Sequence, residues 1–296
     1  MEVGVGLPST IGGTDGRLLV DYAARAERLG FSTLAVFDRL VYDNYDSIVA
    51  LSAAAGVTER IRLATTVLLA PYRPSTVLLA KQLASLDRIS GGRLVVGVAA
   101  GGRDDDFAAS GTCYTDRGRR LDAMLPQLRE VWSGAGQWAK VGPKPVHGDI
   151  PIWVGGHSPA ALRRAARHGV GWVSPGGSTA GYPQLVERAR EVFAASGRAQ
   201  PPRMVALANV ALADRPAAGE RSRAYIESYY AHVGPKAKLL AQTVITDRDR
   251  LRATVTGYAE AGCDELLLFP CIADPEQLDL IAGELAALGV QSAATR

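Results

Sequence analysis

The stretch PIWVGGHSPAALRRAARHGVGWVSPGG, residues 151–177, sets two short apolar runs, each finished in glycine, on either side of one helix. Ile152 to Val154 and Gly171 to Ser174 read as strands buried on both faces, the pattern of a parallel sheet. Ser158 is a good N-cap, and Pro159 suits the first helical position. One reading makes the glycine ends tight turns of an ordinary α/β protein. In the other, first-turn N–H groups and the helix dipole above Gly155, Gly156, His157 and Ser158 attract an anion such as phosphate, with Gly176 and Gly177 closing the far side. Spacing alone leaves both open.

The same alternation extends outward along the whole chain. Further strand-like runs cover Val3 to Leu7, Thr33 to Phe37, Arg62 to Leu69, Leu94 to Ala99, Met204 to Leu212 and Glu265 to Phe269. Amphipathic helices lie between them: Leu18, Tyr22, Ala26 and Leu29 mark the first, and Leu78, Gln82, Ser85 and Leu86 mark one that stops at Ser90-Gly91-Gly92. Eight strands, each followed by helix, predict one (β/α)₈ TIM barrel spanning 1–296. An open doubly wound sheet would use fewer strands and leave a domain-sized remainder.

Three connections are too long for simple turns: Asp38 to Asp46, Gly101 to Arg117, and Asp214 to Asp247. All leave strand C-termini, where barrel active sites are built. The insertion over 213–247 carries two helical patterns, Ala224 to Ala231 and Lys236 to Gln242, and reads as a lid. Ser133 to Pro151 precedes a strand and belongs to the opposite face.

The formal net charge of +3, with dispersed basic residues, argues against a nucleic-acid groove. Three irregularly spaced cysteines give neither a disulfide framework nor a zinc pattern, so no metal is expected. With no apolar stretch long enough to span a bilayer and no leader pattern, a cytoplasmic protein without membrane contact is expected. Polar residues at other strand ends are Asp38 and Arg39, Tyr72 and Arg73, Arg103 with Asp104 to Asp106, and Asn209. The aspartate run reads as a helix cap facing water, and Cys271 as a small buried residue. There is no Walker loop, no Gly-x-Ser-x-Gly elbow and no dinucleotide fingerprint.

AERLGFSTLAVFDRL (26–40), the segment from Ala53 to Gly111 with its Leu-Asp-Arg-Ile-Ser-Gly-Gly-Arg-Leu core, and PIWVGGHSPAALRRAARHGVGWV (151–173) together resemble the luciferase-like monooxygenase family. The resemblance implies a (β/α)₈ barrel that uses reduced FMN or the deazaflavin F420. It implies a ring over the mouth near Asp38, Thr66, Leu68, Ala70 and Gly101, with a non-proline cis peptide somewhere in Thr66 to Ala70. It also implies a phosphate held by Gly155, Gly156, His157 and Ser158, flanked by Gly176 and Gly177. The activity implied is a monooxygenase acting with O₂ on a small organic substrate, fed reduced FMN by a separate flavin reductase, and a homodimer. The alternatives are F420-dependent hydride transfer and a flavin-binding protein without turnover.

One position departs from the family pattern. Many relatives carry histidine after the second strand, where this chain has Arg39. Arginine is no general base at neutral pH, which counts against alcohol oxidation through F420. Asp38 and Arg39 are the catalytic candidates: Arg39 would stabilise a reduced flavin, hold an anionic substrate, or simply pair with Asp38.

Overall fold

A computed structural model describes residues 1–174, 179–198, 200–212 and 216–290, without the side chains of Pro216 and Ala217. Eight strands pair in parallel and in sequence order into a closed barrel. They are β1 (Glu2–Gly6), β2 (Thr33–Val36), β3 (Arg62–Leu68), β4 (Leu94–Val98), β5 (Ile152–Gly155), β6 (Gly171–Val173), β7 (Arg203–Val210) and β8 (Glu265–Pro270). The expected TIM barrel is the observed fold, and strand limits differ from the sequence reading only at their ends. The helices are α1 (Gly16–Arg28), α2 (Ser47–Ala55), α3 (Thr76–Ile89), α4 (Asp104–Ser110), α5 (Arg117–Ser133), α6 (Pro159–His168), α7 (Tyr182–Ala195), α8 (Pro216–Tyr229), α9 (Lys236–Gln242), α10 (Arg248–Glu260) and α11 (Glu276–Ala287).

Two apolar layers follow from strand alternation. Side chains such as Leu34, Val96, Val154, Ala206 and Leu266 point outward and pack under the helices. Ala35, Ala64, Val95, Trp153, Val205 and Leu267 point inward and fill the barrel. On α3 the buried face is Leu79, Leu83 and Leu86, while Leu78 is 55 % exposed. Leu78, expected to mark the helix, lies one residue off its core-facing stripe.

The unit around residues 151–173 forms as its residues dictate. Ser158 caps α6, its Oγ accepting the Ala161 N–H at 3.2 Å, and Pro159 takes the first helical position. Ala161, Leu162, Ala165 and Ala166 form its buried stripe. Arg164 is buried too, held at 2.7 Å by Asp122 of α5, so the arginines of this helix do not share one solvated face.

An ionic cluster closes the N-terminal end of the barrel. Glu265 is fully buried and accepts from Ser32 Oγ (2.8 Å), Thr33 Oγ1 (2.5 Å), Arg62 Nη1 (3.1 Å) and Arg203 Nε (2.9 Å). Glu2 joins both arginines, and their charges hold its carboxyl below the usual range against the opposing effect of burial. Among the described residues no helix is long and apolar enough to cross a membrane, and no group of side chains is arranged to hold a metal ion.

Candidate active site at the barrel mouth

The mouth at the strand C-termini has two unlike sectors. Over β8, β1 and β2 it is roofed by aromatic rings. Phe37 and Phe269 stack at 3.7 Å between centroids, and Tyr229 of α8 stacks on Phe37 at 5.6 Å. Tyr42 meets Tyr229 edge-on, and Tyr225 Oη shares a hydrogen bond with Thr10 Oγ1 at 2.6 Å. The described part of the insertion, 216–247, thus covers this sector, with α8 ending at Tyr229 and a 3-10 turn over Ala231–Val233 following it. Over β3 to β5 and β7 the rim is open: Val67, Ala99, Ala100, Gly101, Gly156, Leu207 and Asn209 are all half-buried.

A bulge in β3 shapes that crescent. The register slips between Thr65 and Leu68, and the Thr66–Val67 peptide is cis, within the window implied by the family resemblance. The bulge reverses which residues face inward. Ala64 points into the barrel before it, and Val67 and Leu69 point to the mouth after it. Leu68 and Ala70 therefore lie in the layer under the helices, and Thr66 is buried with its hydroxyl 3.4 Å from the Val36 carbonyl. Of the expected ring neighbours on β3, none presents its side chain to the mouth; Val67 does.

Small residues opposite make the bulge possible. A Cβ on Gly97 would stand 2.1 Å from the Thr65 carbonyl oxygen, and one on Gly155 would stand 2.9 Å from Val67 Cγ1. Gly155 is accordingly a buried packing position beneath the rim. Gly156 above it has φ +114° and a hypothetical Cβ 3.1 Å from Ala161 Cβ, and Trp172 Nε1 donates to its carbonyl at 2.7 Å. His157 and Ser158 follow, exposed at the start of α6. Gly176 and Gly177 lie outside the described residues.

Asp38 and Arg39, adjacent in sequence, are not paired with each other. Asp38 is buried and accepts from Arg73 (2.8 and 3.1 Å), Tyr72 Oη (3.0 Å), Ser47 Oγ (2.9 Å) and the Leu69 N–H (2.9 Å). Burial pushes its pKa up, but the Arg73 charge and these donors prevail and hold it below the ordinary value. Burial and the facing Asp38 charge push the Tyr72 hydroxyl up. Arg39 turns toward α4, where its Nη2 meets Asp105 at 3.0 Å and its Nε meets Asp106 at 3.1 Å. Asp106 also accepts the Leu40 and Val41 N–H groups at 3.0 and 2.7 Å. It is fully buried, so the aspartate run does not face water throughout. Pairings 35 and 67 positions apart leave no trace in local sequence.

Two further features were not singled out as site residues from the sequence. Asn209 has the inward parity of Val205 and Leu207. Its backbone carbonyl holds Ile245 N–H at 2.9 Å, while its carboxamide bonds no described residue. Arg103, only 7 % exposed, reaches α8 and is treated below. The strand parity of Asn209 was a signal available in the sequence.

A sequence profile described as luciferase-like monooxygenase matches residues 1–292. The chain belongs to that family. Among this luciferase-like protein's relatives is an FMNH₂-dependent dimethylsulfone monooxygenase of Pseudomonas putida, 30 % identical over 61 % of this chain and 55 % of that protein. An F420-dependent glucose-6-phosphate dehydrogenase of Amycolatopsis mediterranei is 26 % identical over 54 % of each. The crystal structure of monooxygenase RslO1 from Streptomyces bottropensis shares the fold, with a TM-score of 0.82, 22 % identity, and coverage of 98 % of this chain and 100 % of that one. The luciferase-like family thus includes both FMN- and F420-dependent oxidoreductases.

Proposed function

We propose that this luciferase-like protein is a monooxygenase that takes up reduced FMN and, with O₂, oxygenates a small organic substrate. The observation that carries the reading is the state of the two polar residues after β2. Asp38 has every lone-pair direction engaged by Arg73, Tyr72, Ser47 and Leu69, and Arg39 is consumed by two aspartates. Neither is available to take a hydroxyl proton, as hydride transfer from an alcohol requires.

The open crescent fits a flavin. Ala99 beside Val67 and Gly101 beside Leu69 make a floor of small groups against which a flat ring can lie. Gly156, His157 and Ser158, at the N-terminus of α6, would hold its phosphate, with Gly155 supporting Val67 from beneath. Arg117 Nε braces this floor by donating to the Gly101 carbonyl at 3.0 Å. When bound, reduced FMN supplies the electrons that activate O₂. The protein's own part is to exclude water with the Phe37, Phe269 and Tyr229 stack and to orient the substrate. Asn209, on the strand opposite β3, offers a donor and an acceptor on the side facing the ring, suiting a neutral substrate with a carbonyl-like or sulfonyl oxygen. A separate flavin reductase would supply FMNH₂, since the sequence has no dinucleotide fingerprint.

The test is oxygen uptake by the purified protein with FMN, NADH and a flavin reductase, across small ketones, amides and sulfones. The reading predicts substrate-dependent uptake with a product one oxygen atom heavier. Turnover with F420 alone would overturn it in favour of hydride transfer. FMNH₂ binding without turnover on any substrate would make the chain a flavin binder.

A further inference from the structure

Arg103 lies between β4 and α4 at the N-cap of α4, and everything its guanidinium contacts among the described residues belongs to the end of the α8 insertion. Nη2 donates to the Tyr229 carbonyl at 2.9 Å and Nε to His232 Nδ1 at 3.1 Å. The guanidinium carbon lies 4.5 Å from the centre of the Tyr229 ring and 5.7 Å from that of Tyr230. No described carboxylate is within ion-pairing distance of it. Asp105 and Asp106, close by in sequence, are both taken by Arg39.

This arrangement carries a chemical condition. His232 Nδ1 accepts from an arginine, which has only donors, so that nitrogen must keep its lone pair and the imidazole must be neutral. Protonation would set two cations against each other across the same contact. The groups acting on His232 favour the neutral form on balance. Burial lowers its pKa from the ordinary 6.5, Arg103 and Arg39 lower it further, and Asp105 and Asp106 oppose them. The tilted ring of Tyr230, at 6.2 Å, is its aromatic neighbour.

We propose that Arg103 is a positioning residue that latches the end of α8 to the β4 side of the mouth, and that the latch holds only while His232 is neutral. It rests on the proposed ring site in one respect. Gly101, two residues before Arg103, belongs to the crescent floor, so a single short segment both supports the ring and anchors the roof. The closed state binds a proton at His232 less readily than the open state. Closure is therefore complete above the ordinary histidine pKa and is lost as pH falls below it.

Amide hydrogen exchange of the full chain without cofactor tests the latch apart from flavin binding. Between about pH 8 and about pH 5.5, once corrected for intrinsic exchange, α8 amides of the wild type should exchange about tenfold faster at the acid end. His232→Gln keeps a neutral acceptor, and its α8 should stay protected at both pH values. Arg103→Met should exchange fast at both. Protection of β4 and β7 amides reports that each variant is folded; if Arg103→Met does not fold, His232→Gln decides. Three results would overturn the proposal: exchange of wild-type α8 that does not change with pH, persistence of the pH response in His232→Gln, or a folded Arg103→Met as protected as the wild type. If the latch behaves as expected and the chain binds no flavin, only the functional reading falls.

Discussion

The two ends of the barrel solve the same electrostatic problem differently. At the N-terminal end, Glu265 is surrounded by Arg62, Arg203 and two hydroxyls, and the cluster satisfies itself. At the C-terminal end, the β2 and β3 side repeats that solution with Asp38 and Arg73. The β4 and β7 side does not: among the described residues Arg103 meets no carboxylate and is held by Tyr229 and His232 instead, and the Asn209 carboxamide has no partner. Where polar groups are paired within the protein they brace it; the Asn209 carboxamide, beside half-buried small residues, is left to meet something else in the proposed site. Buried charges are costly unless paired, so the paired end should govern stability and the unpaired crescent should govern binding.

Substitutions at each end can break this division. The largest effect is expected for Glu265→Ala, which takes from Arg62 and Arg203 the buried carboxylate they share and leaves them only the more exposed Glu2. It should cost about 3 kcal/mol in urea unfolding, the low end for a broken buried pair because Glu2 remains, while flavin affinity in the folded protein stays unchanged. A large loss of affinity there would erase the distinction.

Asp38→Asn comes next, at about 1.5–3 kcal/mol, because it removes the charge from hydrogen bonds that Arg73 donates. It has a pH signature as well. The native carboxyl of Asp38 is held below its ordinary 3.8, so the stability it adds is complete above that value and is lost as pH falls through the lower native one. The wild type's advantage over Asp38→Asn should therefore shrink only in strong acid and be constant from neutral pH upward. If Asp38 were instead a catalytic base, turnover in the folded variant would collapse; the account predicts that it survives.

Gly156→Val tests the open end. Its backbone is in a region few side chains adopt, and a Cβ would press on Ala161, so about 1–2 kcal/mol of stability should go. Flavin affinity should fall about tenfold or more, since about 1.4 kcal/mol of displaced anion contact is enough for that. Asn209→Leu should change stability least, within about 0.5 kcal/mol, because its carboxamide bonds nothing described. It should raise KM for a carbonyl or sulfonyl substrate and leave FMNH₂ affinity as it was. An unaltered KM would remove Asn209 from the substrate side.

Much of the barrel was legible in the sequence because strands covered on both faces are short apolar runs, such as Leu94 to Val98, whatever lies far away in the chain. In the insertion Lys236–Gln242 forms the helix its pattern suggests, whereas Ala224 to Ala231 caught only the end of α8, which begins at Pro216 and stops at Tyr229. The start of α6 could be read from Ser158 and Pro159, since capping needs only near neighbours. What escaped was set by distant partners. Nothing around Asp38 announces Arg73, and nothing around Arg39 announces Asp106. The resemblance places Thr66, Leu68 and Ala70 near the ring, but it does not tell which side chain the bulge turns to the mouth, and that one is Val67. The bulge in turn depends on Gly97 and Gly155, one and two strands away.

Anaerobic titration of the purified chain with reduced FMN, repeated with Gly156→Val and Glu265→Ala, addresses the central claim most directly. The account predicts saturable binding by the wild type, at least about tenfold weaker binding by folded Gly156→Val, and wild-type affinity in folded Glu265→Ala. Equal affinity in the wild type and Gly156→Val, or binding of reduced F420 with none of reduced FMN, would contradict it.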